Sequence, residues 1–291
     1  MSPFAKLLPA RLRRSDPTIP VVRLVGTIAA GGGIGRASLN LSACASPLGK
    51  AFADKKAPAV AIVVNSPGGS PVQSHLIYKR IRDLATERKK KVHVFVEDVA
   101  ASGGYMIACA GDDIHVDVSS ITGSIGVVAA TFGFVDAIDK IGVERRVYTA
   151  GDNKVLLDPF QAPQQKDIDH LLDIQKDIHR GFIDLVKASR GERLSDDPEI
   201  FSGLFWAGEE SVRRGLADGI GDVRGTLKRL YGAKTKLRLT EVKRGLFGRP
   251  RPSIQAALPG SAGIAGDVAG RLPGAVVEEV REQAIWGRYG L

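Results

Sequence analysis

Apolar runs alternate with amphipathic stretches from Ile19 onward. Val60–Asn65 (VAIVVN) is continuously apolar rather than alternating, the pattern of a strand buried on both faces of a sheet. Further strands are expected over Val21–Ile28, Val92–Val96, Ile114–Val118 and Arg145–Thr149. Val72–Lys90 reads as a helix, with Ile77, Ile81 and Leu84 on one face. The basic cluster Arg88–Lys91 then falls at its C-terminus, where the helix dipole favours cations. Residues 164–188 carry the longest helical stripe: Ile168, Leu171, Leu172, Ile178, Phe182, Leu185 and Val186. Shorter helices are expected over Ser102–Ala110, Phe134–Ile141 and Gly208–Gly215. Repeated strand–helix units of this kind predict an α/β fold.

Three segments follow from this pattern. Residues 1–19 place Phe4, Leu7, Leu8 and Leu12 at helical spacing among Lys6, Arg11, Arg13 and Arg14, a basic amphipathic leader. Such a leader suits a membrane surface, although a plain tail or a helix docked on its own domain accounts for it more simply. Residues 20–231 form the main domain. Residues 232–291 are a basic, Gly/Pro-rich tail with a short helix expected over Ala275–Trp286.

Composition narrows the class. The chain is 44% hydrophobic and 25% charged, ordinary globular usage. No run reaches the ~18 apolar residues of a membrane span, and the N-terminus lacks an uninterrupted apolar signal region. Cys44 and Cys109 lie too far apart for a CxxC pair, which excludes a disulfide scaffold and a zinc ribbon. A cytoplasmic protein is expected, with peripheral contact to the cytoplasmic membrane as an option. Of the net charge of +9, residues 1–23 carry +4 and residues 234–251 carry +6, leaving the central body at −1. The positive charge is therefore in the flanks. It lacks interleaved aromatics and a recognisable module, so a nucleic-acid partner is not expected.

Candidate chemistry lies in glycine-rich turns. Gly31, Gly32, Gly33 and Gly35 follow a strand, but Arg36 breaks the dinucleotide pattern, so a flexible loop is expected. Asn65-Ser66-Pro67-Gly68-Gly69 joins a strand to a helix. Its glycines let backbone N–H groups face a ligand, though alone it reads more readily as an ordinary tight turn. Ala100-Ala101-Ser102-Gly103-Gly104-Tyr105 also joins a strand to a helix. There Ser102 reads equally as an N-cap or as a nucleophile on an elbow. A serine nucleophile needs a base. His75, His93, His115, His170 and His179 fit neither a triad nor a metal site. Most lysines sit in charged surroundings; Lys154, in Gly151-Asp152-Asn153-Lys154-Val155-Leu156-Leu157, stands just after a strand and ahead of three apolar residues. Alone it reads as a solvated loop residue, because only a buried, neutral amine serves as a base.

The set NSPGG, ASGGY, TGSIG (Thr122–Gly126) and GDNK resembles peptidase family S49, the signal peptide peptidase A group, in its short form. The resemblance covers residues 20–231. It implies a ClpP/crotonase-like spiral of ββα units and hydrolysis by a Ser-Lys dyad. By resemblance, Ser102 is the nucleophile and Lys154 the general base, and Ser124 orients the lysine amine. Gly103 with Gly68 or Gly69 forms the oxyanion hole. No cofactor or metal is implied. The expected partners are hydrophobic or unfolded peptides and further copies of the chain in a ring or dome. Met106 and the segment Leu204-Phe205-Trp206-Ala207 depart from the family pattern, and the basic leader stands where many members carry a membrane anchor. A crotonase-type acyl-CoA enzyme and a non-catalytic membrane-surface scaffold are the rival readings.

Overall fold

The structure is a computed structural model that describes residues 16–31, 38–240 and 283–290. The expected leader over residues 1–15, most of the first glycine cluster and residues 275–282 of the expected terminal helix lie outside the described residues. Among those described, one sheet of eight strands runs in the order β6-β5-β3-β2-β1-β8, with β4 and β7 branching from β3. The strands are β1 (Thr18–Val25), β2 (Ala59–Ser66), β3 (Lys91–Ala101), β4 (Asp113–Val116), β5 (Ile121–Gly123), β6 (Phe205–Trp206), β7 (Gly219–Ile220) and β8 (Lys236–Leu239). Every pairing is parallel except β5 with β6.

All eight residues of β2 are buried, as its unbroken apolar run predicts. Because side chains alternate across a strand, Val60, Ile62 and Val64 enter one core while Ala61 and Val63 enter another. The first and larger core is closed by helices α1 (Leu41–Ala53), α2 (Pro71–Arg88) and α3 (Gly103–Ala108). The smaller core is closed by α7 (Val223–Tyr231), through Leu227. The fold is thus α/β, with helices on both faces of a mainly parallel sheet.

Four differences from the sequence expectation have physical causes. No strand forms at Arg145–Thr149. That stretch has no pairing partner, and Tyr148 is 90% exposed. Helix α1 was not expected because Pro47 lies inside it; Asn40 caps it by accepting from the Ala43 N–H. Helix α7 follows the turn-rich LADGIGD without an apolar lead-in, but Asp222 accepts from the N–H groups of Arg224 and Gly225 and fixes its start. Strand β8 lies past residue 231 and pairs with β1, so the sheet extends into the basic flank. There Arg238 pairs with Asp54.

Helices α4 (Val135–Lys140), α5 (Gln165–Arg190) and α6 (Gly208–Arg213) complete the chain. Only the C-terminal half of the α5 stripe is packed. Phe182 and Val186 enter the larger core, whereas Leu172, Ile174 and Ile178 are exposed. The last residue of α5, Arg190, is fully buried. Its guanidinium donates to both carboxylate oxygens of Asp218 (2.8 and 3.0 Å) and, through Nε, to the Gly215 carbonyl (2.8 Å). Burial pushes the Asp218 carboxyl up, but the Arg190 hydrogen bonds and charge outweigh it and hold the group below its ordinary value.

Replacing Arg190 with Leu leaves a half-buried carboxylate short of its main partner. Urea unfolding is expected to show a loss of about 3 kcal/mol. The folded Asp218 pKa is depressed, so its contribution is complete above the unfolded value of about 4 and disappears as pH falls through the folded one. The gap between wild type and Arg190→Leu therefore narrows as the solution is acidified.

Candidate active site

The site begins with a dislocation in β3. Val64 pairs with Val96, but the next pair is Ser66 with Ala100, so β3 advances four residues while β2 advances two. The first part of β3 continues to β4 and the last three residues turn to β5. Asn65 occupies the bulge. Its Oδ1 accepts from the Val99 N–H at 3.3 Å, and its Nδ2 donates to Asp98. From the other side, the Ser120 hydroxyl bonds the carbonyls of Val96 and Glu97. Backbone groups freed by the bulge are thus satisfied by side chains, as buried polar groups must be. This assigns the Asn of NSPGG a task that no isolated motif reveals.

The redirected strand ends at Ser102. Its backbone has φ 51° and ψ −122°, a left-handed conformation that favours glycine. Such strain costs about 1–3 kcal/mol. Two ladder contacts hold it: the Ser102 N–H donates to the Gly123 carbonyl (2.9 Å), and its carbonyl accepts from the Met106 N–H (3.0 Å). The Ser102 side chain makes no capping bond to α3, so the N-cap reading of the hydroxyl does not hold.

Glycines permit the close packing around it. A Cβ on Gly104 would lie 2.3 Å from the Ser66 carbonyl oxygen, and one on Gly103 2.2 Å from Ser74 Oγ. On Gly68 it would lie 2.8 Å from the Ser102 Cβ and from the Gly103 nitrogen. Gly68, Ser102 and Gly103 are therefore in direct contact. Gly69 is tied to Ile28, whose N–H donates to Gly68 and whose carbonyl accepts from Ser70 (both 2.8 Å). The Gly68 N–H donates to Ser66 Oγ at 3.2 Å. The N–H groups of Gly69 and Gly103 have no acceptor among the described residues.

Ser124 is the second left-handed serine, with φ 52°. Ala101 pairs with Gly123, so Ser102 and Ser124 each follow one member of the same pair. The Ser124 N–H donates to the Leu204 carbonyl at 2.7 Å, and its Oγ accepts from the Tyr289 hydroxyl at 3.2 Å. His179 of α5 bonds the Ile125 carbonyl at 3.0 Å and fastens the segment that follows. Neither Tyr289 nor His179 has a sequence signature for these contacts.

Lys154 lies elsewhere. It belongs to a turn at 152–157 within an exposed segment, and it makes no side-chain hydrogen bond or ion pair with a described residue. Residues 127–163 carry Val128, Phe132, Ile141 and Val143 exposed to solvent. The structure thus assembles Ser102, Ser124 and the three glycines and leaves Lys154 outside their hydrogen bonds.

Several other nucleophile and base candidates are buried or engaged. Both cysteine thiols are buried, which pushes them up to about 12. His93 is buried between Asp113 (2.8 Å) and the Tyr231 hydroxyl (2.7 Å). Burial raises the Asp113 carboxyl, but hydrogen bonds from His115 and His93 bring it well below its ordinary value. Among the described residues, no three His, Cys, Asp or Glu side chains are grouped to hold a metal.

The profile of peptidase family S49 matches residues 85–236 and includes Ser102, Ser124 and Lys154. The chain belongs to peptidase family S49. A Na(+)/H(+) antiporter NhaA of Brucella abortus is 56% identical over 98% of this chain, and the chain covers 39% of that protein. A serine protease SPPA, chloroplastic, of Arabidopsis thaliana is 31% identical over 71% of this chain and 30% of its own length. A putative protease of Methanocaldococcus jannaschii is 30% identical over 61% and 56% respectively. The chain thus spans well under two thirds of these relatives. A solved 1510-N membrane-bound stomatin-specific protease with a substrate peptide has a TM-score of 0.48 at 16% identity, covering 77% of this chain and 92% of that one. No helix among the described residues is long and apolar enough to cross a membrane.

The strain at Ser102 yields a stability test. Ser102→Gly removes the left-handed penalty and Ser102→Ala retains it. Despite the entropy cost of glycine, Ser102→Gly is expected to be the more stable of the two by about 1 kcal/mol in denaturant titration.

Proposed function

We propose that this S49 chain is a serine endopeptidase acting through a Ser102–Lys154 dyad on hydrophobic or unfolded peptides. The observation that carries the reading is the pair of left-handed serines at one sheet end, beside two unengaged backbone N–H groups. The Ser102 hydroxyl attacks the peptide carbonyl and its proton passes to the Lys154 amine. The N–H groups of Gly69 and Gly103 receive the oxyanion, while Gly68 permits the close approach. Lys154 then returns the proton to the leaving amine. An acyl-enzyme forms on Ser102, and water activated by the same amine releases it.

The base must be neutral and shielded from water, and Lys154 is exposed in a single copy. The exposed apolar residues of the 127–163 segment and the uncovered start of the α5 stripe support assembly into a homo-oligomer that covers this segment and completes the dyad. The basic flanks would hold the assembly at the anionic cytoplasmic face of a membrane. The profile match across Ser102, Ser124 and Lys154 favours the peptidase over an acyl-CoA enzyme or an inert scaffold.

Cleavage of casein and of a hydrophobic fluorogenic peptide is the test. Wild type is expected to cleave, with Ser102→Ala and Lys154→Ala reduced at least about 1,000-fold. Specific activity is expected to fall on dilution through the dissociation range seen by analytical ultracentrifugation. Cleavage that survives in Ser102→Ala would contradict the assignment.

A further inference from the structure

We propose that Tyr289 is a positioning residue for peptide hydrolysis, its hydroxyl fixing the Oγ of Ser124 in the orientation that receives the lysine amine. This rests on the dyad reading above. Tyr289 lies 49 residues beyond Thr240, the last described residue after β8, yet it is only 7% exposed. It packs with Trp286 against Val99, Ala101 and Ile121, and its ring meets Phe205 edge-on at 5.0 Å. By alternation, these residues of β3 and β5 face away from the larger core. The terminal segment therefore covers the outer face of the sheet end that presents Ser102 and Ser124.

The aromatic packing accounts for the ring but not for the hydroxyl. A buried phenolic O–H requires a partner, and among the described residues it has Ser124 Oγ. The Ser124 backbone is already fixed through Leu204 and by pairing at Gly123. What remains free is the side-chain rotor, with three staggered positions. By donating to Oγ, Tyr289 selects one rotor and uses one of its two lone pairs. The other lone pair can accept an N–H of the Lys154 amine. The nitrogen lone pair is then left to face the Ser102 hydroxyl, the geometry proton transfer needs.

Tyr289→Phe removes the hydroxyl and keeps the ring contacts. With the fluorogenic peptide, kcat is expected to fall about fivefold to tenfold, the factor equivalent to one neutral hydrogen bond, with KM within about twofold. In a Ser124→Ala background the same substitution is expected to change kcat by less than about twofold, because the effect passes through Ser124. A purely structural contribution would instead multiply through both backgrounds. An unchanged kcat in Tyr289→Phe, or a fall of equal factor in the Ser124→Ala background, would overturn the proposal. So would a rise in kcat, which would make the terminal segment an obstruction. Activity persisting in Ser102→Ala would reject the dyad itself. An inactive Ser102→Ala beside a wild-type-like Tyr289→Phe would reject this inference alone.

Discussion

The structure depends on the pairing of the last turn of β3 with β5. Ala101 opposite Gly123, and the Ser102 N–H on the Gly123 carbonyl, hold a serine in a backbone conformation that serine avoids. An isolated strand-to-helix turn would relax to φ < 0 and carry the hydroxyl elsewhere. Holding it requires β3 to leave its first partners, and the bulge filled by Asn65 makes that departure affordable in hydrogen bonds. The strain is local, and the buried strands around it supply the stability that sustains it.

The same economy explains the glycines. Three elements converge within van der Waals contact: the turn after β2, the junction of β3 with α3 and the first turn of α2. At Gly68, Gly103 and Gly104 even one methyl group would collide with backbone or with Ser74. The N–H groups of Gly69 and Gly103 are left without an acceptor among the described residues, and these are the donors the proposed oxyanion hole requires. On that reading, stability and chemistry impose the same residues. Farther away, the Arg190–Asp218 pair ties the end of α5 to the turn preceding β7 and anchors the frame on which the site rests.

Legibility in the sequence followed the physics of each signal. The unbroken apolar run of β2 and the faces of α2 and the C-terminal half of α5 were readable because burial imposes periodicity. Helix α1 was hidden by Pro47 and α7 by its lack of an apolar lead-in, since capping by Asn40 or Asp222 leaves only a weak trace. The β-prone run at Arg145–Thr149 promised a strand that has no partner; residue preference alone does not supply one. Ser102, Gly68, Gly69 and Gly103 were visible as turn motifs and Ser124 through the family resemblance, and pairing across β3 and β5 brings Ser102 and Ser124 together. Tyr289 carried no signal, because its contact spans 165 positions. Lys154 stood out weakly in its local sequence and received its role as base only through family resemblance; it is exposed, in a segment whose apolar residues lack cover.

A Ser102 nucleophile activated by Lys154, as proposed, should react covalently with a fluorophosphonate, and peptide mass spectrometry locates the adduct. A single stoichiometric adduct is expected on Ser102, with labelling strongly slowed in Lys154→Ala. An adduct on another serine, or labelling of Ser102 at the same rate without Lys154, would contradict it.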